Sequence, residues 1–310
     1  MWIQYALFSS FLWAIVHVLD EHCVDNIFSK PWLGVITSSG ISAGIFVLLP
    51  ILNIPIVIPS WDLLAICLVT GAIIQLSQFF YFRALDCSDS GTVAAYWNLT
   101  PIFLILISYW LFGYLITSSN YIGIALLIVA SIGLCAVDKF SNRWDTLYLM
   151  SIASGLLTIV MTIEKYIFDR TDFFGAFLSI TAGMIISGLA CLTLPQVRST
   201  LVRDFPKIKQ ALPIFVAIEL LNLAALYSGQ TAVKLGVPVV VSAIEASTPA
   251  YVFGISLLIA TFQRRSDSPT QRLCLTAGDR QRQREAKRTL PLKWGFVSLT
   301  IVGVWLLGMA

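Results

Sequence analysis

Apolar segments of about twenty residues, separated by short polar connections, run along almost the whole chain. A helix of this length crosses the hydrocarbon core of a bilayer. The pattern predicts ten transmembrane helices, near residues 2–22, 32–52, 61–83, 90–112, 119–138, 146–168, 173–194, 210–233, 237–262 and 292–309. One connection, residues 263–293, is long, polar and basic, and it predicts a flexible loop.

The two halves of the chain repeat one pattern in the same order. A shift of 148 residues places Thr100-Pro101 over Thr248-Pro249, and a shift of 144 residues places Asp20 over Glu164. Since each half holds five predicted helices, an odd number, the second half would enter the membrane from the opposite side. Such inverted repeats are typical of secondary transporters, whose binding site lies near the membrane midplane between the repeats.

The predicted fold is therefore an all-α integral membrane fold, with ten transmembrane helices arranged as two inverted five-helix repeats around a central cavity. The repeats span residues 1–140 and 145–310, and the second contains the basic loop 263–293 as an insertion. The chain opens directly into an apolar segment without a basic region or a cleavage site. We therefore predict the first helix there rather than a removable signal.

Composition strengthens the membrane prediction and disfavours several other classes of protein. The chain is 57% hydrophobic and 12% charged, with a mean hydropathy of +0.83, too few charges to cover a soluble domain of 310 residues. Its six cysteines occur singly and its two histidines are His17 and His22. We predict no metal site and no cofactor. The chain has no GxxxxGK[ST] or HExxH motif, which disfavours ATP-driven transport and metalloprotease chemistry.

Basic residues are distributed unevenly between the two sides of the predicted membrane domain. Seventeen of the 20 Lys and Arg residues lie in the connections that follow odd-numbered helices. Only Lys165, Arg170 and Lys234 lie towards the other face. The positive-inside rule then places these connections in the cytoplasm and both termini outside. The basic loop suits contact with anionic lipid better than a nucleic-acid site, so we predict no nucleic-acid partner.

The stretch "ALDCSDSGTVAAYWNLTPIFLILISYWLFG", followed by "YIGIALLIVASIGL", resembles the EamA-type permeases of the drug/metabolite transporter superfamily. In that family an Ala-Leu pair closes the third helix of each repeat, a proline lies within the fourth, and the fifth is rich in glycine. The residues that fit are Ala84-Leu85, Pro101 and Gly123 in the first half, and Ala232-Val233, Pro249 and Gly295 in the second. The resemblance implies ten helices in two inverted repeats, with a central cavity lined largely by helices 1, 3, 4, 6, 8 and 9.

Two features depart from the family pattern. The family often has Gly-Glu at the end of helices 4 and 9, where this chain has Gly113-Tyr114 and Phe262-Gln263. The chain is thus a divergent member by its motifs. The family is also commonly drawn with both termini in the cytoplasm, whereas the Lys and Arg distribution favours the reverse. Both orientations stay open at this point.

Polar residues inside the apolar segments are the candidates for function, because lipid would reject them. In the ninth segment Ser242, Glu245 and Thr248 share one helical face. Pro249 lacks a backbone donor and frees a carbonyl one turn earlier, around Glu245. The side chain of Glu245 either binds a cationic group or a coupling proton in a cavity, or it holds two helices together.

The other predicted helices carry similar groups. In helix 1, Trp13, His17 and Asp20 share a face, and Glu164 occupies the place in helix 6 that matches Asp20. Alternatively, each of these residues contributes only to helix packing or lies in water at the membrane interface. The predicted cavity residues are Trp13, His17, Gln75, Gln78, Trp97, Asn98, Glu219, Asn222, Glu245 and Thr248; the coupling candidates are Asp20, Glu164 and Glu245; and the predicted helix breaks are at Pro101 and Pro249.

These residues predict a secondary transporter, a permease or exporter, of a small organic metabolite by alternating access. The acidic bias at membrane depth suits an amine-bearing or amphiphilic solute, or proton coupling. The alternatives are a passive channel or a lipid-handling membrane protein of the same fold, and with less support an integral-membrane enzyme. The expected partners are a small-molecule solute and the lipid bilayer. A monomer would suffice, and the expected location is the plasma membrane.

Overall fold

The computed structural model describes residues 1–48, 57–112, 118–137, 144–266, 291–292 and 294–307. Within these ranges the regular structure is helical and contains no strand. The helices are α1 (Trp2–Asn26), α2 (Leu33–Leu48), α3 (Trp61–Leu85), α4 (Ser90–Tyr96), α5 (Leu99–Phe112), α6 (Ser118–Val137), α7 (Trp144–Phe168), α8 (Phe173–Ala190), α9 (Pro195–Gln210), α10 (Leu212–Leu235), α11 (Pro238–Glu245), α12 (Thr248–Ser266) and α13 (Trp294–Leu307).

Seven helical segments of the described chain are long and apolar enough to cross a membrane. They are Trp2–Asn26, Trp61–Leu85, Ser90–Ile107, Trp144–Phe168, Phe173–Thr193, Leu212–Leu235 and Pro238–Ile259. Three shorter apolar helices, Leu33–Val47, Tyr121–Ala130 and Trp294–Leu307, lie where further spans are predicted. The chain is a multi-pass integral membrane protein, while ten spans in two inverted repeats stay a prediction. Most of the loop 263–293 lies outside the described residues.

The fourth and ninth predicted segments are each interrupted in the middle. The first break lies at Trp97–Asn98, between α4 and α5, and the second at Ala246–Ser247, between α11 and α12. Each break comes just before a Thr-Pro pair. A proline lacks an N–H, and its ring crowds the carbonyl four residues earlier. At the second break, the carbonyl of Glu245 accepts a hydrogen bond from Thr248 Oγ1 instead, at 2.7 Å.

One connection that we predict as a loop is a helix in the structure. The sixteen residues of α9 separate α8 from α10, and Pro195 begins the helix at its first turn. Its mean hydropathy is too low for a span, so a search for apolar windows passes over it. The period of a helix is nevertheless present, since Leu201, Asp204 and Ile208 recur on the face that packs against the protein.

Close helix contacts join the two halves of the chain. Ser9 Oγ on α1 donates to the carbonyl of Ala225 on α10 at 3.1 Å, and Ser77 Oγ on α3 donates to the carbonyl of Ala153 on α7 at 3.0 Å. Helix α3 also runs close along α8. A Cβ atom added at Gly71 would lie 2.0 Å from the carbonyl oxygen of Ile180, so only glycine fits there.

Candidate functional site

A central cavity lies between α1, α3, α7, α10 and the interrupted helices. The two helix breaks bring Trp97 and Glu245 to its wall, and α1 contributes Trp13 and His17. Helix α7 contributes Glu164. The cavity wall thus combines apolar and aromatic surface with a few polar groups, as a small-molecule site does.

The two carboxylates of this cavity each accept a hydrogen bond from a neighbouring helix. Glu164 Oε1 on α7 accepts from Gln230 Nε2 on α10 at 2.6 Å. Glu245 Oε1 on α11 accepts from Ser9 Oγ on α1 at 3.1 Å, and the single hydroxyl proton of Ser9 is shared between this carboxylate and the carbonyl of Ala225. No Lys or Arg lines the cavity, and neither carboxylate forms an ion pair with a described residue. The acidic groups are therefore held in place without being neutralised by the protein.

Two buried acceptors at the cavity wall have no hydrogen-bond partner among the described residues. They are Oε1 of Gln230 and Oγ1 of Thr100, whose side chains are 2% and 3% exposed. Because nearly all buried polar groups in native proteins are hydrogen-bonded, such atoms call for a water or a ligand. The oxygen of Gln230 can only accept, so it needs a donor. Since Gln230 binds Glu164 through its other amide atom, that donor would arrive next to a carboxylate.

A second polar cluster joins α1 to α3. The hydroxyl of Tyr81 donates to Asp20 Oδ2 at 3.0 Å and lies 2.7 Å from His17 Nδ1. Because the O–H of Tyr81 donates its hydrogen bond to Asp20, the phenol oxygen can accept a hydrogen bond from His17. In a neutral imidazole, this contact places the N–H on Nδ1. The ring of Trp13 stacks on His17 with centroids 6.1 Å apart. Tyr81 was missed by sequence reasoning, since it lies in the aromatic run "FFYF" and reads as core.

A smaller side cavity lies between α1, α2, α3 and α10. Glu219 lines it and accepts hydrogen bonds from Ser38 Oγ, at 2.7 Å, and from Ser42 Oγ. Ser42 is the serine of a Gly-x-Ser-x-Gly sequence, but it lies inside helix α2 rather than at a strand-to-helix turn, so it is no nucleophile elbow. Gln75 donates to Ser39 Oγ at 2.8 Å and joins α3 to α2.

The structure divides the predicted site residues into two groups rather than gathering them in one cavity. Gln75, Asp20, Glu219 and Asn222 line the side cavity and not the central one. Trp13 and Gln78, together with Met184, line both and separate the two spaces. Asn98 lines neither, and both polar atoms of its buried amide lack a partner among the described residues. The predicted residues that border only the central cavity are His17, Trp97, Glu164, Glu245 and Thr248.

The described residues hold no group of three His, Cys, Asp or Glu side chains arranged as metal ligands would be.

Comparison with known proteins agrees with the fold. Residues 1–136 match the family model of the EamA-like transporter family. A solved crystal structure of a protein covers 97% of this chain and 98% of its own chain, with a TM-score of 0.60 and 14% sequence identity. At this identity the likeness shows the fold alone. No curated protein matches the sequence.

Proposed function

We propose that this membrane transporter, whose first 136 residues match the EamA-like family, moves a small amine-bearing organic solute through its central cavity. The match supports transport of the drug/metabolite type and a transporter rather than an enzyme. The solute class comes from the cavity itself. The plasma membrane is the proposed location.

The observation that carries this proposal is the acceptor group formed by Glu164, Gln230 and Glu245 in a cavity whose described lining includes no Lys or Arg. A charge at membrane depth is costly unless it is paired. An ammonium group brings both the missing positive charge and the donor that Gln230 Oε1 lacks. The indole rings of Trp13 and Trp97 border the same space, and aromatic faces attract cations and pack apolar surface. An anion would meet two carboxylates here and no Lys or Arg among the described lining residues.

We propose alternating access between two inverted repeats, residues 1–140 and 145–310, as the mechanism. Two contacts support this arrangement. The shift of 144 that relates α1 to α7 places Ser9 over Ala153, and the shift of 148 that relates α3 to α10 places Ser77 over Ala225. The hydrogen bond from Ser9 to Ala225 thus has a positional counterpart in the bond from Ser77 to Ala153, and both donors lie in the first repeat.

Glu245 is the residue that we propose to bind either the amine or a coupling proton. It lies at a helix break, where its backbone carbonyl accepts a hydrogen bond from the Thr248 hydroxyl. Among the described residues, its side chain is hydrogen-bonded only to Ser9. A group held by one hydroxyl can exchange partners at small cost. Glu164, which is 4% exposed and bound to Gln230, is the second candidate.

The test is transport by the purified protein in liposomes. A thermal-shift screen of amines, amino acids and aromatic metabolites first selects a binding amine, whose radiolabelled uptake is then followed with and without a pH gradient. We expect Glu245→Gln to abolish accumulation while the protein stays folded and inserted. Glu21→Gln is the matched control, because Glu21 lines neither cavity and is held by Ser90 at 2.6 Å.

Accumulation of the amine against its gradient separates a transporter from a passive channel of the same fold. Wild-type accumulation by Glu245→Gln would remove Glu245 from the mechanism. A screen in which only anionic metabolites stabilise the protein would contradict the proposed solute class.

A further inference from the structure

Helix α9 presents a row of basic and apolar side chains that the described protein does not cover. Arg198, Val202, Phe205 and Lys209 are spaced by four, three and four residues, so they lie on one face of the helix. Val202 is 68% exposed and Phe205 57% exposed. Arg198 and Lys209 are exposed and form no ion pair with a described residue. We name these four residues the α9 stripe.

The connections of α9 hold it at the edge of the membrane. It follows α8 after a single 3-10 turn, Cys191–Thr193, and Leu194, and it precedes α10 after Ala211 alone. Both neighbours are candidate membrane spans. A helix whose two ends are tied this closely to spanning helices cannot leave the bilayer surface. Sixteen residues at about 1.5 Å each give it a length of about 24 Å along that surface.

A different face of α9, about a quarter turn from the α9 stripe, packs on the protein and fixes the rotation of the helix. Ile208 is buried in a cluster with Val16 of α1 and Phe215 of α10. The carboxylate of Asp204 accepts a hydrogen bond from the backbone N–H of Ser29 at 2.9 Å, and Arg203 binds both of these residues. With this face docked on the protein, the α9 stripe is held facing outward and cannot turn inward.

We propose that the α9 stripe is a binding site for an anionic phospholipid. In an interfacial helix, apolar side chains enter the boundary of the acyl chains while basic ones reach the headgroups. Val202 and Phe205 form the apolar centre of the stripe, and Arg198 and Lys209 lie on either side of them along the helix. Two cations around an apolar centre match the phosphates and the acyl region of anionic lipids. A zwitterionic lipid offers the same apolar contact without net charge for the two cations.

The experiment compares lipid binding by the full-length protein and its variants. Phosphatidylglycerol and phosphatidylcholine with the same acyl chains are titrated into the detergent-solubilised protein, and bound lipids are counted by native mass spectrometry. We expect wild-type protein to prefer phosphatidylglycerol. The double variant Arg198→Gln/Lys209→Gln should lose this preference, with an affinity that falls about fivefold for each charge removed.

Matched variants separate a lost charge from a disturbed helix. Arg198→Lys/Lys209→Arg keeps both charges and should keep the lipid preference. Lys207→Gln removes one charge from the side of α9 that lies away from the α9 stripe, and it should change the affinity by no more than about twofold. Phe205→Ser should weaken binding of both lipids to a similar extent, since it removes only the apolar contact.

The occupant of the α9 stripe can also be identified directly. A photoactivated benzoylphenylalanine at Val202, in liposomes containing phosphatidylglycerol, should yield lipid adducts. Adducts with protein instead, equal affinity of the wild-type protein for the two lipids, or an unchanged preference in Arg198→Gln/Lys209→Gln would overturn the proposal. Because these readouts concern binding of lipid and not transport, they do not depend on the proposed solute.

Discussion

The substitution Gly71→Ala should loosen the contact between α3 and α8. A Cβ atom at this position would lie 2.0 Å from the carbonyl oxygen of Ile180 and 2.6 Å from the backbone nitrogen of Met184. Ordinary contact begins at 3.4 Å, so the helices must separate locally by about 1.4 Å along the first of these directions. The obstructing atoms belong to the backbone of α8, and no change of side-chain rotamer can relieve the clash.

Overpacking of this kind typically costs about 1–3 kcal/mol, and we expect about 3 kcal/mol because a whole helix must move. Gly183→Ala should act in the same way, since its Cβ would lie 2.4 Å from the carbonyl oxygen of Leu68. Gly155→Ala on α7 is the matched control, with no atom within 4 Å of the added carbon. Alanine there should be neutral or stabilise the helix by up to about 1 kcal/mol.

The assay is unfolding by sodium dodecyl sulfate in mixed micelles, followed by circular dichroism. Gly71→Ala and Gly183→Ala should unfold at a lower detergent fraction than wild type, and Gly155→Ala should not. Equal midpoints for Gly71→Ala and Gly155→Ala would refute the reasoning, because the two variants differ only in the space available to one methyl group.

Two further predictions concern polar contacts outside the central carboxylate pair. Tyr81→Phe removes the hydroxyl between His17 and Asp20 and should destabilise the protein by about 1–3 kcal/mol. Tyr148→Phe is the control and should not change stability, because Tyr148 is 68% exposed. Equal unfolding midpoints for the two variants would contradict this prediction. For Asp204, burial alone would raise the pKa, but donors from Ser29 and Arg203 outweigh it and hold that pKa below its ordinary value of 3.8. The ionised carboxylate therefore contributes stability fully above pH 3.8 and loses it as the pH falls through the lower pKa of the folded state. Asp204→Asn should be less stable than wild type by about 1 kcal/mol at neutral pH, and the difference should shrink in acid, as unfolding midpoints across a pH series would show.

The membrane fold could be predicted from sequence because hydrophobicity over twenty residues is a local property. The same holds for the breaks before Thr100-Pro101 and Thr248-Pro249, which follow from the chemistry of proline. Helix α9 could not be found in this way, since its polar composition fails a search for spans. Its amphipathic period, with Leu201, Asp204 and Ile208 on one side, was the signal that could have revealed it.

The individual residues of the candidate site could be predicted from the sequence more readily than their grouping into cavities. Acidic residues in apolar segments are visible in the sequence, but their partners are not. Glu219 is bound by Ser42, which lies 177 residues away, and Glu245 by Ser9, which lies 236 residues away. Which carboxylate faces which cavity depends on those partners. The sequence pattern indicated both Glu219 and Glu245 as residues of one central cavity, whereas the structure places them in different spaces.

Gly71 and Gly183 also bear on how the proposed transporter would open. Under the proposed repeat, the shift of 148 places Gly71 over Glu219, and the shift of 144 places Ser39 over Gly183. The contact of α3 with α8 would thus be the counterpart of the contact of α10 with α2. In the contact of α3 with α8, two glycines allow the backbones to touch along the helices. In the contact of α10 with α2, the helices approach over a shorter length, and Glu219 accepts a hydrogen bond from Ser38 beside the side cavity. Alternating access requires two equivalent contacts of which one is closed while the other opens. Hydrogen bonds to Glu219 can be exchanged for bonds to water or solute more readily than close backbone packing can be undone. We therefore expect the protein to open from this conformation by separation of α2 from α10, while α3 and α8 stay packed.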